Sequence, residues 1–178
     1  ENKIFTIIFG GRLVKQKDPV TFLKAIKLFA EMHKGFKVTI TGDGVMREAM
    51  EKFVVKHNLS GNIHFTAWLD KNSLLEVYQA GHLFVSTSLF EGMSIALLEA
   101  MACGLYVITT PAGGNKDVLE RHSALGSITE FGKSELLAEK INTCFTEKFC
   151  KGSKDDWQDL ESFVRMNDRQ TINNNYLD

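Results

Sequence analysis

Two carboxylates frame one short element of this chain. In the run STSLFEGMSIALLEAMACG, Ser86 to Gly104, Glu91 stands in what reads as a loop, and Glu99 lies inside a helix, Met93 to Cys103, that is apolar on nearly every side. A buried carboxylate without a partner costs several kcal/mol, so Glu99 needs a cation, a set of backbone N–H groups or a cleft. Carboxylates accept hydrogen bonds and sugar hydroxyls donate them, so two acids around one helix suit a hydroxyl-rich ligand. A salt bridge or a backbone cap explains either acid taken singly. If the helix starts near Gly92 to Ser94, its free N–H groups and positive dipole end form an anion site, worth ~0.3–1 kcal/mol from the dipole in exposed settings. Gly92 lets an anion approach closely, and Ser94 adds a hydroxyl.

Cations stand in another loop. Gly10 and Gly11 close an apolar run, and Arg12 and Lys17 follow. The guanidinium is a planar fork of donors and the lysine a mobile point charge, a combination suited to a diphosphate; a surface turn with two solvated cations fits the same residues. A third loop, Thr41-Gly42-Asp43-Gly44, reads as a tight structural turn, and a fourth, Thr109 to Asp117, carries Gly113, Gly114 and Asn115 ahead of a short helix.

The elements that must position these loops follow from periodicity. Ile4 to Gly10 is a continuous apolar run, as expected of a strand buried on both faces. Asp18-Pro19 opens a helix as N-cap and first-turn proline, with Val20, Phe22, Leu23, Ile26, Phe29 and Ala30 at helical spacing. Further strands are predicted at Phe36–Thr41, Asn62–Thr66, His82–Thr87, Leu105–Thr109 and, weakly, Ala124–Ile128. Helices are predicted at Val45–His57, Lys71–Ala80, Ser94–Cys103, Lys116–Arg121 and Lys133–Glu147. This alternation predicts an α/β domain: a Rossmann-like parallel sheet with helices on both faces and ligands at the carboxyl ends of the strands. Residues 1–150 form that domain. From Lys151 the composition turns polar, and residues 151–178 read as a helical tail with Trp157, Leu160, Phe163 and Val164 on one face.

Composition narrows the partners. A formal net charge of -1 over 178 residues provides no bulk pull toward nucleic acid, and the aromatics follow core periodicity rather than alternating with basic residues. No apolar run reaches membrane-spanning length, so no direct membrane insertion is expected. Cys103, Cys144 and Cys150 form no CxxC pair and read as reduced thiols, Cys103 packed inside its helix, which predicts a cytoplasmic location. The histidines show no metal spacing, so no protein-held metal is expected. GxGxxG after the first strand, GK[ST] and GxSxG are all missing, which excludes the commonest dinucleotide, P-loop and serine-hydrolase readings. A start directly on a strand suggests a piece of something longer.

Taken together, FGGRLVKQKD, ITGDG, NIHFTAW, EGMSIALLE, EAMACGLYVI and GGNKDV, in this order and spacing, resemble the carboxyl-terminal domain of retaining GT-B glycosyltransferases, family 4 in particular. The resemblance implies a donor-binding half that takes a UDP- or GDP-sugar, needs no metal or other cofactor, and acts on a glycan or lipid-linked saccharide held by an N-terminal domain. It implies that the tail packs on that missing domain, that the fragment alone turns over little, and that the enzyme, of hexosyltransferase type and serving polysaccharide biosynthesis, works in the cytoplasm or at a membrane's cytoplasmic face. By this resemblance Arg12 and Lys17 grip the diphosphate, Glu91 faces the donor sugar and Glu99 the ribose. The Gly92, Met93 and Ser94 amides meet sugar and phosphate. Gly11 and Gly42 line the nucleotide site, and Trp68 and Leu69 lie by the base. Departures are Asp18, Ala67 and Ser94 where the family commonly has glycine, Tyr106 where proline is frequent, and Asp117 where glutamate is usual. A nucleotide-sugar epimerase of the same fold and a noncatalytic nucleotide-sugar sensor or scaffold are the alternatives.

Overall fold

The computed structural model describes residues 4–147. Six parallel strands, β1 (Phe5–Gly10), β2 (Phe36–Thr41), β3 (Ile63–Phe65), β4 (Leu83–Ser86), β5 (Tyr106–Thr109) and β6 (Gly126–Ile128), form one sheet in the order β3-β2-β1-β4-β5-β6. Between them run α1 (Pro19–Met32), α2 (Arg47–Lys56), α3 (Lys71–Ala80), α4 (Ile95–Ala102) and α5 (Asn115–Arg121), with α6 (Ser134–Thr146) after the last strand.

The strands' period of two sorts the core into two layers. Ile7, Phe9, Leu83, Val85 and Ile108 pack with α1, α2 and α6 on one face. Ile8, Phe84 and Val107 pack with α3, α4 and α5 on the other. Each fully buried Ile, Leu or Phe contributes about 1.5–3 kcal/mol, which is why β1, β4 and β5 read as largely apolar runs. The strand order reverses direction between β1 and β4, and the crevice outside their carboxyl ends is where open α/β sheets take ligands.

Two boundaries differ from expectation for local reasons. α2 starts at Arg47 rather than Val45 because Gly44–Met46 is a turn: Arg47 N–H donates to Gly44 O (3.0 Å), and Met46 N–H to Leu13 O (2.9 Å). β6 starts at Gly126 because Ser123–Leu125 coils into a 3-10 turn. Asp18, where the resemblance expects glycine, sits in the left-handed region (φ 43°, ψ 55°) and still caps α1, its Oδ1 accepting from Thr21 N–H (3.3 Å) and Oδ2 from Thr21 Oγ1 (2.5 Å). Aspartate tolerates that region better than most residues and pairs it with a cap that glycine lacks. Cys103 is not inside α4 but is its half-buried C-cap; burial, then the Glu99 charge, push its thiol pKa up. The predicted tail and Cys150 lie outside the described residues.

Candidate functional site

All four loops singled out in the sequence leave the carboxyl edge of the sheet. The β1 exit is tied to the β4 exit by a zipper of bonds: Thr87 Oγ1 donates to the carbonyls of Lys17 (2.8 Å) and Asp18 (2.9 Å), Leu89 N–H to Gln16 O (2.8 Å), and Gln16 Nε2 to Phe90 O (2.8 Å). This brings Lys17 to Glu91, and Lys17 Nζ pairs with Glu91 Oε1. Both side chains are largely buried, 16% and 10% exposed, and Glu91 Oε2 is shut from solvent with no hydrogen-bond partner. The ammonium passes over Gly11, where an added Cβ would lie 3.6 Å from Lys17 Cε. Arg12 is exposed, and its guanidinium makes no hydrogen bond or ion pair with a described residue.

Beside this pair a cleft of about 210 Å³ opens between the exits of β1 and β2 and the helices α3 and α4. Gly11, Gly42, Trp68, Leu69 and Glu99, all predicted, line it together with Ile95, and a neighbouring groove of about 200 Å³ between α3 and α4 shares Glu99. Gly42 must be glycine. Its φ is +108°, and a Cβ would fall 2.2 Å from the Gly11 carbonyl oxygen, so the two loops touch backbone to backbone. Arg47 holds the floor: its Nη1 donates to the carbonyls of Gly42 (3.3 Å) and Thr66 (2.8 Å), and its guanidinium lies 5.6 Å from the Phe65 ring centre.

The two acids exchange the environments expected of them. Glu99 is on the exposed side of α4, in a row with Ile95 and Ala102, while Leu97, Ala100 and Met101 turn inward. The helix is not apolar and buried all round; one stripe of it forms a cleft wall. Partial burial raises the Glu99 pKa, opposed by the Lys71 charge, and its carboxylate accepts no hydrogen bond from a described residue. The acid that is truly enclosed is Glu91.

The sign of the Glu99 shift yields a prediction. Below the ordinary carboxylate range the acid is protonated in both folded and unfolded chains, and stability is unaffected by it. As pH rises through the folded-state value, ionisation costs more in the folded chain, and stability falls. Glu99→Gln is therefore expected to raise Tm at pH 7–8 and leave it unchanged near pH 4; thermal melts of both proteins across this range check it, and an equal Tm gain at both ends would refute it.

At the start of α4, Gly92 and Met93 are exposed, and their N–H groups find no acceptor among the described residues. A Cβ on Gly92 would meet nothing within 4 Å, so open space lies above it. Ser94 differs from expectation: its N–H donates to Asn115 Oδ1 (3.3 Å) and its Oγ accepts from Leu97 N–H (3.4 Å), so it is already engaged as the helix cap. Reading the sequence missed Ile95 and Tyr78 as cleft-lining residues, and Asn115 as the partner of Ser94. A polar Asn at a helix start, where a core helix offers apolar residues, is the signal that marks the last. Among the described residues no cluster of three or more His, Cys, Asp or Glu could hold a metal, and no helix is long and apolar enough to cross a membrane.

The chain matches the model of the family described as glycosyl transferases group 1 over residues 1–158. It is 30% identical over 116 residues to a phosphatidylinositol N-acetylglucosaminyltransferase subunit from Arabidopsis thaliana, covering 65% of this chain and 26% of that one. The solved C-terminal domain of a glycosyl transferase group 1 family protein (LpcC) from Francisella tularensis superposes with a TM-score of 0.79 at 23% identity, covering 89% of this chain and 85% of that one. The pneumococcal O-GlcNAc transferase GtfA, solved in complex with UDP and GlcNAc, superposes with a TM-score of 0.80 at 19% identity, covering 99% of this chain and 37% of that one. These structures share the fold, the Rossmann-like half expected of a GT-B enzyme. The chain spans about a quarter to a third of the length of the curated relatives it matches.

Proposed function

We propose, from the premise that this chain belongs to the glycosyl transferases group 1 family, that it is the part of a retaining glycosyltransferase that binds the donor, a UDP- or GDP-sugar. One observation carries the reading: the cleft at the β1/β4 crossover is walled by the backbones of Gly11 and Gly42 and by the unpartnered Glu99 carboxylate, a shape and an acceptor suited to a nucleoside with its ribose diol. Glu99 accepts from the ribose hydroxyls, and Trp68 and Leu69 lie by the base. The diphosphate extends over Gly92, where the Gly92 and Met93 N–H groups and Arg12 are free to receive it. The sugar lies against Glu91, whose charge Lys17 neutralises at Oε1.

As the glycosidic bond breaks, negative charge grows on the leaving diphosphate. Fixed donors aimed at that charge lower the barrier. Arg12, the α4 amides and Lys17 supply them from this chain without calling on a metal. Glu91 orients the sugar and offsets positive charge at the anomeric carbon; no covalent step through it is part of the proposal. The acceptor, a glycan or lipid-linked saccharide, belongs to an N-terminal domain at the cytoplasmic face of a membrane. The phosphatidylinositol in the plant relative's name supports a lipid acceptor, and the N-acetylglucosaminyl group there, with the UDP bound to GtfA, makes UDP-GlcNAc the first donor to test.

Calorimetric titration of the domain with UDP, GDP and their sugars tests the reading. Binding of one nucleotide series is expected, and silence from every one would leave a scaffold role in its place. In the full-length protein an epimerised sugar instead of a glycoside would replace transfer by epimerisation. Arg12→Ala there is expected to lower kcat/KM about tenfold to a hundredfold, the loss of one charge-assisted hydrogen bond of about 1.5–3 kcal/mol. Because Arg12 supports no described contact, Tm should stay put; unchanged turnover would remove Arg12 from this role.

A further inference from the structure

Asn115, the first residue of α5, is fully buried, and both ends of its side-chain amide are used across the fold. Its Oδ1 accepts from Ser94 N–H, and its Nδ2 donates to Thr109 Oγ1 at the end of β5 (3.1 Å). One side chain thus ties the cap of α4 to the tip of a central strand. Neighbouring bonds run the same way: Gly114 N–H donates to Gly92 O (2.7 Å), and Thr110 Oγ1 to Ser88 O (2.5 Å). Ser94 is buried, so without Asn115 its N–H would be left unpaired inside the protein, the costly state for a backbone donor.

Of the amides at the mouth of α4, Asn115 takes the innermost and leaves those of Gly92 and Met93 open. Next to them in the chain, Oε2 of Glu91 is enclosed and lacks a hydrogen-bond partner, its side chain 10% exposed. We propose that Asn115 is a positioning residue for the donor's diphosphate: it removes Ser94 N–H from the set of donors and fixes the direction in which the Gly92 and Met93 amides point. The inference rests on the reading that this loop meets the diphosphate. Asn115 itself touches no ligand and acts through Ser94.

A purely structural clamp and a phosphate-positioning one differ in what they do to a nucleoside compared with its diphosphate. The experiment measures Kd for uridine, UDP, guanosine and GDP in the full-length protein, with Tm alongside, for wild type, Asn115→Leu and Asn115→Asp. Asn115→Leu keeps the branched framework and drops both hydrogen bonds; it is expected to weaken the bound diphosphate about tenfold, the worth of roughly 1.4 kcal/mol, and to leave its nucleoside unchanged. Asn115→Asp keeps the acceptor for Ser94 but adds a negative charge behind the phosphate, and is expected to weaken the diphosphate further still. Thr109→Val, which strips the outer anchor of Asn115 together with the bond from Thr109 Oγ1 to Thr110 O (3.2 Å), serves if the leucine variant does not fold, and is expected to move the same ratio in the same direction. An unchanged diphosphate-to-nucleoside ratio in the folded variants overturns the proposal while the donor-binding reading stands. Wild-type protein that binds neither nucleotide overturns that reading, and the proposal with it.

Discussion

Replacing Lys17 by methionine is expected to destabilise the domain by about 3 kcal/mol, and adding Glu91→Gln to return most of that loss. The pair is enclosed, with side-chain exposures of 16% and 10%, and Oε2 of Glu91 already lacks a partner. Removing the ammonium leaves a buried carboxylate with nothing opposite it, the situation that costs ~3–5 kcal/mol when one member of a buried pair is deleted. Some solvent still reaches the pair, which places the expectation at the lower end. Glutamine removes the charge and keeps the shape, so the double variant is far more stable than the sum of its parts. Urea unfolding of wild type, both single variants and the double variant closes the cycle; additive losses would show that the pair is not the coupled unit described. Activity separates from stability here. In the full-length protein both Lys17→Met and the stable double variant are expected to lose transfer about 10²–10³-fold, as removal of one preorganised transition-state donor does.

The same pair shows what could be read from the sequence and what could not. Strand and helix order was legible because β1, β4 and β5 are packed on both faces and therefore largely apolar, and because Asp18-Pro19 announces its helix as N-cap and first-turn proline. That the loops after β1, β2, β4 and β5 share one edge follows from parallel topology alone. The environments of the acids were not legible. Composition shows that α4 is apolar; it does not show that its Ile95–Glu99–Ala102 stripe stands at the rim of a cleft, and so it assigns burial to the wrong glutamate. Nor does spacing reveal that Gln16, Thr87 and Leu89 zip two loops together and so enclose Glu91 with Lys17. The bond from Asn115 to Ser94 spans 21 residues, and only the fold brings its ends together. The resemblance carried Ser94 over as a phosphate donor; in this chain its amide and hydroxyl both serve the cap of α4.

Two glycines that border the same loop make opposite predictions. Gly113 has φ +53°, and a Cβ there would lie 1.9 Å from the Glu91 carbonyl oxygen and 2.3 Å from that of Gly92. Both obstacles are backbone, so no rotamer change relieves them, and the left-handed conformation adds about 1–2 kcal/mol for any residue with a Cβ. Gly113→Ala must therefore push the loop that carries Glu91 and Gly92 away from β5, and the 2.7 Å bond from Gly114 N–H to Gly92 O goes with it. We expect a loss of more than about 3 kcal/mol in unfolding free energy, at the upper end for a single substitution, together with loss of nucleotide binding. Gly92→Ala is the contrast. Its Cβ enters open space, no positive φ is involved, and the melting temperature is expected to hold. The added methyl stands where the diphosphate is proposed to lie, so affinity for UDP or GDP should still fall. Melting curves and calorimetric titrations of both variants decide the matter. A Gly113→Ala protein with wild-type Tm and affinity would show that the β5 loop does not brace the site, and a Gly92→Ala protein that binds nucleotide as tightly as wild type would move the diphosphate away from α4.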